Sequence, residues 1–62
     1  MTAQEITGCL IKRLRIKKGY SQTQLAEMVG YKDKTAIAKI EAGKVDLPLS
    51  KMMAFSTALS TD

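Results

Sequence analysis

The sequence predicts an all-α protein: a compact bundle of four short helices, with a fifth at the C-terminus as the alternative. Strand patterns, in which apolar β-branched and polar residues alternate, are nearly absent. Residues typical of helix N-caps precede several short apolar-periodic runs, and glycines follow them. The 62 residues have room for one domain, residues 1–62, whose short helices must share a core because none is stable alone.

The first helix is predicted to open at Thr2 and to stop at Gly19. Thr2 and Glu5 have the spacing of a capping box, in which each side chain satisfies a free backbone amide of the other residue. Glycine adopts the left-handed conformation that commonly ends a helix. The residues expected to face the core recur every four positions: Ile6, Leu10 and Leu14.

Three shorter helices are predicted to follow. Ser21 and Gln24 form a second capping box, and that helix ends at the next glycine. Asp33 is the expected N-cap of a third helix over residues 34–42, and a fourth helix begins around Pro48 because proline is tolerated in a first turn. The remaining core positions predicted from periodicity are Leu25, Val29, Ile37, Ile40, Met52, Phe55 and Leu59.

Composition excludes several classes of function. The chain has no histidine, so a Cys/His zinc site is ruled out, and its one cysteine cannot form an internal disulfide. No apolar run approaches the roughly 20 residues that span a bilayer, and no signal-peptide pattern opens the chain. The sequence therefore predicts a cytoplasmic protein that is no enzyme, with no metal, cofactor, small-molecule ligand or membrane partner.

The chain is basic. Ten Lys and Arg residues against six Asp and Glu residues give a net charge of +4, and the pI is near 9.5. This balance suits a polyanionic partner such as nucleic acid, although many small domains are equally basic.

Residues 21 to about 43 have the layout of a helix-turn-helix, two short helices joined by a tight turn. Two patterns stand out: Gly-x-Ser-Gln-x-x-Leu-Ala from Gly19, and Ile-x-x-Ile-Glu-x-Gly from Ile37. With these patterns the chain resembles the Cro/repressor, or XRE-like, family of phage and bacterial regulators. The matching positions are Leu14, Arg15, Gly19, Tyr20, Ser21, Gln22, Gln24, Leu25, Ala26, Val29, Gly30, Ile37, Ile40, Glu41, Gly43, Ala58 and Leu59.

The resemblance implies a bacterial or phage-encoded regulator of transcription that binds a double-stranded DNA operator as a homodimer. Repression is the expected role. Helix 34–42 would then lie in the major groove. The expected base contacts are Lys34, Thr35, Ala36, Ala38 and Lys39. The expected phosphate contacts are Ser21, Gln22, Lys32, Gly43 and Lys44. The family also pairs the positions of Arg15 and Glu41 in a structural salt bridge.

These residue types suit the chemistry of base and phosphate contacts. Lysine donates to the O6 and N7 acceptors of guanine, whereas threonine hydrogen-bonds or touches a thymine methyl group. Alanine offers apolar contact only. The competing interpretation is a solvated helix face with ordinary surface lysines, in which Ser21 is simply an N-cap.

The turn departs from the family pattern. Ile37 lies seven residues after Gly30, where the pattern has six, so the turn is predicted to be one residue longer. It therefore stays open whether Thr35 or Lys34 stands first at the base edges. Ser56 replaces the usual alanine, a change that the fourth helix should tolerate.

Two alternatives concern protein partners. Cys9 and Ile16 lie seven residues apart on a face of the first helix that is not the core. They are either scattered surface residues or part of a dimer contact. For the whole chain, the alternative function is a protein-interaction module of the same fold, such as an antitoxin or an anti-repressor.

Overall fold

The computed structural model describes residues 1–60, which form four α-helices and no strand. The helices are α1 (Ala3–Lys18), α2 (Gln22–Met28), α3 (Thr35–Glu41) and α4 (Leu49–Ala58). The predicted all-α class is confirmed, and residues 1–60 contain no fifth helix. Residues 61–62, the last two of the predicted domain, lie outside the described residues.

Both predicted capping boxes are present. The Thr2 hydroxyl accepts from the Glu5 amide at 3.1 Å, and the Thr2 amide donates to the Glu5 carboxylate at 2.8 Å. The Ser21 hydroxyl likewise accepts from the Gln24 amide at 3.0 Å, and the reverse bond is 2.7 Å long. These bonds satisfy amides that have no partner within the helix, so they fix where α1 and α2 begin.

The end of α2 is a Schellman motif centred on Gly30. Gly30 has a φ of +86° and donates its amide to the Glu27 carbonyl at 3.3 Å. The Tyr31 amide reaches back to the Ala26 carbonyl at 2.9 Å. Glycine is favoured here because other residues rarely adopt a positive φ. The motif turns the chain sharply away from α2 and towards α3.

The predicted start of α3 was wrong by one residue. The helix begins at Thr35, and Lys34 rather than Asp33 occupies the N-cap position. The Asp33 carboxylate instead accepts from the Thr35 amide at 2.8 Å, two residues ahead. That bond is typical of an Asx turn, so Asp33 belongs to the turn that precedes the helix.

One core joins the helices: α1 packs on α3, α3 on α2, and α2 on α4. Six of the predicted core residues are buried: Leu25, Val29, Ile37, Ile40, Phe55 and Leu59. Leu14 is partly buried and packs against this cluster. Three further buried apolar side chains were not among the predicted core residues: Ile11, Ala26 and Ala58.

The core face of α1 was predicted correctly only at Leu14. Ile6 and Leu10 are 56% and 53% exposed, and the buried residues of α1 are Gly8 and Ile11. A Cβ atom on Gly8 would overlap the carbonyl oxygen of Ile40. Because the backbones of α1 and α3 meet at a residue without a side chain, the apolar pattern alone placed the buried face too far from Gly8.

Met52 was also wrongly placed in the core, and is 48% exposed. The inner face of α4 consists of Lys51, Ala54, Phe55 and Ala58, at helical spacing. Lys51 thus faces the core, where the sequence analysis had placed its apolar neighbour Met52. Its side chain packs inward because a long aliphatic stem can be buried while the ammonium finds polar partners.

None of the helices within residues 1–60 combines the length and the apolar character that crossing a membrane requires.

Candidate nucleic-acid interface

Helix α3 has one buried side and one exposed side. Ile37 and Ile40 are 0% and 2% exposed, so they anchor the helix in the core. An exposed stripe follows the opposite side at helical spacing. Its members are Thr35, Ala38, Lys39 and Ala42. Three of these four side chains are small, so Lys39 is the one long side chain that projects from the stripe.

An open groove of about 520 Å³ lies beside α3. It separates the helix from the loop that leads to α4. Its lining residues are Tyr31, Lys32, Asp33, Thr35, Ala36, Lys39, Ile40, Val45, Asp46 and Pro48. The groove thus brings together four of the predicted contact residues, namely Lys32, Thr35, Ala36 and Lys39. Lys34 and Ala38 are exposed but lie outside it.

A salt bridge ties α3 to α1. Arg15 Nε donates to Glu41 Oε2 at 2.7 Å, and Arg15 Nη2 donates to Glu41 Oε1 at 3.2 Å. Arg15 Nη1 donates to the Tyr20 carbonyl at 2.8 Å. The two side chains are only 12% and 4% exposed. A two-pronged bond of this kind restricts both distance and angle, so it fixes the C-terminal end of α3 against α1.

Helices α2 and α3, the turn between them and the α1 contact make up a complete helix-turn-helix. A family model described as helix-turn-helix matches residues 11–62. The chain belongs to the XRE-type helix-turn-helix family. No curated protein matches the sequence. Family membership places the chain among DNA-binding transcription regulators, which are typically not enzymes. The second helix of a helix-turn-helix, here α3, is by convention termed the recognition helix.

The charge of the recognition surface is uneven. Two lysines and two aspartates line the groove, so their formal charges cancel. Two further lysines stand at the two ends of the recognition helix, Lys34 before it and Lys44 after it. Both are exposed. The positive charge available to a DNA backbone is therefore greatest at the ends of the helix.

Asp33 is an acidic group at the start of the recognition helix. The backbone amide of Thr35, and then its side chain, donate hydrogen bonds that hold the pKa of the Asp33 carboxyl below its ordinary 3.8. The group is therefore charged at neutral pH. A carboxylate in this place repels phosphate and offsets part of the positive charge of the neighbouring lysines.

Gln22 has a structural partner in addition to its expected role. Its Nε2 donates to Glu41 Oε1 at 3.2 Å, and the side chain is half-buried. A charged carboxylate only accepts hydrogen bonds, which places the amide nitrogen rather than the amide oxygen next to Glu41. Gln22 thus joins α2 to the bridge between α1 and α3.

The other expected phosphate contacts differ in accessibility. Ser21 is exposed and caps α2 through its hydroxyl. Gly43 is half-buried, and a Cβ atom there would lie 2.7 Å from Glu5 Cγ. Gly43 therefore faces α1. Lys44 is exposed and free to reach outward from the end of the helix.

Sequence reasoning missed three residues at this surface. Ala42 extends the exposed stripe one turn beyond Lys39, and counting seven residues from Thr35 would have found it. Val45 lines the groove and is 41% exposed. Lys51 contacts the turn between α2 and α3, and its spacing to Phe55 on α4 was the available signal.

No three His, Cys, Asp or Glu side chains within residues 1–60 lie close enough together to hold a metal ion.

Proposed function

We propose that residues 1–62 form one domain that binds double-stranded DNA sequence-specifically and represses transcription in the cytoplasm of a bacterial cell. The recognition helix would lie in the major groove. The observation that carries the proposal is its exposed stripe of small residues and Lys39, opposite the buried Ile37 and Ile40. Small side chains let a helix approach the base edges closely, because a B-DNA major groove is about as wide as a helix with its side chains.

Thr35 and Lys39 are the proposed base readers. They lie one turn apart and both line the groove. The ammonium of Lys39 would donate to guanine, and the Thr35 side chain would contact thymine or donate a hydrogen bond. Ala36 and Ala38 would add apolar contacts. Lys34 is the alternative reader at the start of the helix, because the longer turn leaves the rotation of the first residue open.

The proposed phosphate contacts flank the readers. Lys32 and Lys44 carry exposed ammonium groups on either side of the recognition helix. Ser21 and Gln22 stand at the start of α2, and Gln22 retains a second N–H beyond the one given to Glu41. Gly43 would contribute its backbone only. Such contacts orient the protein and supply affinity that falls with salt.

We propose that the protein binds its operator as a homodimer. Dimers of this class contact half-sites about 34–36 Å apart on one side of the DNA. The described protomer measures 26 × 25 × 19 Å. Two protomers can therefore lie side by side at that spacing without overlapping. Ile16, which is 59% exposed on α1 with Cys9 on the same face, is the candidate contact.

The dimer is tested by Ile16→Glu. This change should shift sedimentation towards the monomer and weaken operator binding without lowering the free energy of unfolding. Met53→Glu, at an exposed apolar position of α4, is the control for the added charge. Unchanged sedimentation and unchanged binding would assign Ile16 to the ordinary exposed surface.

The DNA-binding function is tested by selecting bound duplexes from a random pool. The best duplex is then titrated across a salt series beside a scrambled duplex of the same composition. The proposal predicts an enriched sequence and a preference that persists as salt is raised. Equal affinity for both duplexes at every salt concentration would contradict sequence-specific binding.

A protein-interaction module is the second candidate. It is favoured by the apolar residues that α1 and α4 leave exposed: Ile6, Leu10, Leu49 and Met52. An antitoxin or an anti-repressor would use such a surface to hold a protein partner. Failure to enrich any DNA sequence, together with tight binding to one protein, would favour this candidate.

A further inference from the structure

Lys51 contacts the turn of the helix-turn-helix from outside it. The residue lies in the first turn of α4, and its side chain is half-buried. Its Nζ donates to the Val29 carbonyl at 2.9 Å, just beyond the last residue of α2. The carbonyl end of a helix carries partial negative charge, so a cation there is favourable.

The same ammonium has a second partner in the turn. Lys51 Nζ lies 5.0 Å from the centre of the Tyr31 ring, a distance typical of a cation–π contact. The Tyr31 ring in turn packs against Phe55, with ring centres 6.5 Å apart and planes tilted by 58°. Lys51 and Phe55 of α4 therefore hold Tyr31 from two sides.

The ammonium also lies over Gly30. A Cβ atom on Gly30 would be 2.9 Å from Lys51 Nζ. The cation thus sits against three consecutive residues, Val29 to Tyr31, where the chain leaves α2. The described contacts of Lys51 are with neutral groups, a carbonyl and an aromatic ring.

We propose that Lys51 is a positioning residue for DNA recognition. By holding Val29 and Tyr31, it sets the path of the turn and the rotation at which α3 enters the major groove of DNA. Within residues 1–60, the turn beyond Tyr31 has only the local bond between Asp33 and Thr35 before the recognition helix begins. On the protein surface, the groove beside α3 is lined by Tyr31, Thr35 and Lys39 among others. A shift of Tyr31 therefore changes the surface that the readers share.

This inference rests on the proposed DNA-binding function, and three variants of the full chain test it. Lys51→Met keeps the buried stem but loses the donor and the charge. Lys51→Arg keeps both, because a guanidinium also donates to carbonyls and stacks on aromatic rings. Lys17→Met removes an exposed lysine near the end of α1 and is the control for lost charge. Each variant is titrated against the selected duplex and the scrambled one across a salt series.

The proposal predicts that Lys51→Met lowers affinity for the selected duplex about tenfold relative to the scrambled duplex, because specific binding must then order a turn that one hydrogen bond and one cation–π contact no longer hold. Lys51→Arg should retain most of the preference, and Lys17→Met should retain all of it. If Lys51→Met does not fold, Tyr31→Leu replaces it. That change removes the aromatic face while keeping an apolar side chain, and should reduce the preference in the same direction.

Two results would overturn the proposal. An equal loss on both duplexes, with the salt slope reduced by about 1, would make Lys51 a phosphate contact. A lower melting temperature with both affinities unchanged would make its role purely structural. A wild-type chain with no preference for any duplex contradicts the DNA-binding function itself, and is recognised before any variant is measured.

Discussion

The two ends of the recognition helix are held in different ways. The C-terminal end is fixed by buried contacts with α1. Gly8 packs against the backbone of α3, and Arg15 forms a salt bridge with Glu41. The N-terminal end has no buried ion pair among the described residues. It follows an exposed turn that is closed by the bond from Thr35 to Asp33 and held from α4 by Lys51.

This difference separates stability from reading. Buried contacts are costly to lose, so those at the C-terminal end fix where α3 sits on the core. Exposed contacts contribute little to stability, so the bond between Asp33 and Thr35 at the N-terminal end can change without unfolding the protein. The first residues of a recognition helix are also the ones that meet base edges. We infer that the turn tunes which bases are read, while α1 keeps the helix in place.

The largest expected effect is at the salt bridge. Arg15→Ala and Glu41→Ala should each lower the free energy of unfolding by about 3–5 kcal/mol, because each leaves the other charge buried without its partner. The double variant should cost less than the sum, since neither charge then remains. Urea melts of the four proteins measure this coupling. Strict additivity would show that the two side chains do not interact.

A second effect is expected where α1 meets α3. Gly8→Ala should lower the free energy of unfolding by about 1–3 kcal/mol, because the added methyl group would push against the Ile40 carbonyl and lie 2.8 Å from that of Glu41. Alanine favours a helix by about 1 kcal/mol over glycine, so helix propensity alone predicts the opposite sign. Cys9→Ala, at the next and exposed position, should stay within about 0.5 kcal/mol. A stabilised Gly8→Ala protein would show that the helices do not touch there.

The third prediction concerns the N-terminal end and compares two neighbours. Thr35→Ala should cost about 1–3 kcal/mol of binding to the selected duplex and little on scrambled DNA, while the free energy of unfolding changes much less. Lys34→Ala should weaken binding to both duplexes more evenly. The reverse result would mean that the longer turn rotates the helix start and that Lys34 reads the first base. Titrations of both variants on both duplexes decide between these outcomes.

The smallest expected effect is the pH dependence of Asp33. Its pKa is lowered in the folded protein by the Thr35 hydrogen bonds, so the carboxylate contributes stability above its ordinary pKa of 3.8. That contribution is lost as the pH falls below 3.8 towards the lowered value. Asp33→Asn removes this titration but keeps an oxygen acceptor. Its stability should therefore fall less than that of the wild type between about pH 5 and about pH 3. Parallel curves for the two proteins would contradict the assignment.

Local signals were sufficient for most of the fold. The side chains of Thr2 and Ser21 predicted the starts of α1 and α2, and Gly30 predicted the end of α2, because capping interactions span only three or four residues. The face of α1 could not be predicted in this way. It is decided by the approach of α3 at Gly8, a contact between residues far apart in sequence. An apolar pattern gives no information about a face that a glycine occupies.

The candidate site divides in the same way. The exposed stripe followed from Ile37 and Ile40, because two buried residues define the opposite side of a helix. Two contacts depend instead on where α1 and α4 pack. They are the hydrogen bond between Gln22 and Glu41 and the cation–π contact between Lys51 and Tyr31. Lysine is ordinarily a surface residue, so Lys51 was not among the predicted core residues, whereas its neighbour Met52 was. Tertiary packing reversed these two positions.

The most direct test of base reading by the recognition helix compares Lys39→Ala with Lys44→Ala. Lys39 projects from the exposed stripe, whereas Lys44 follows the glycine that ends the helix. Both variants are titrated against the selected and the scrambled duplex across a salt series. Lys39→Ala should lose about 1–3 kcal/mol on the selected duplex and little on the scrambled one, and Lys44→Ala should weaken both equally and lower the salt slope by about 1. If Lys39→Ala lowers both affinities by the same factor, α3 does not read bases through this face.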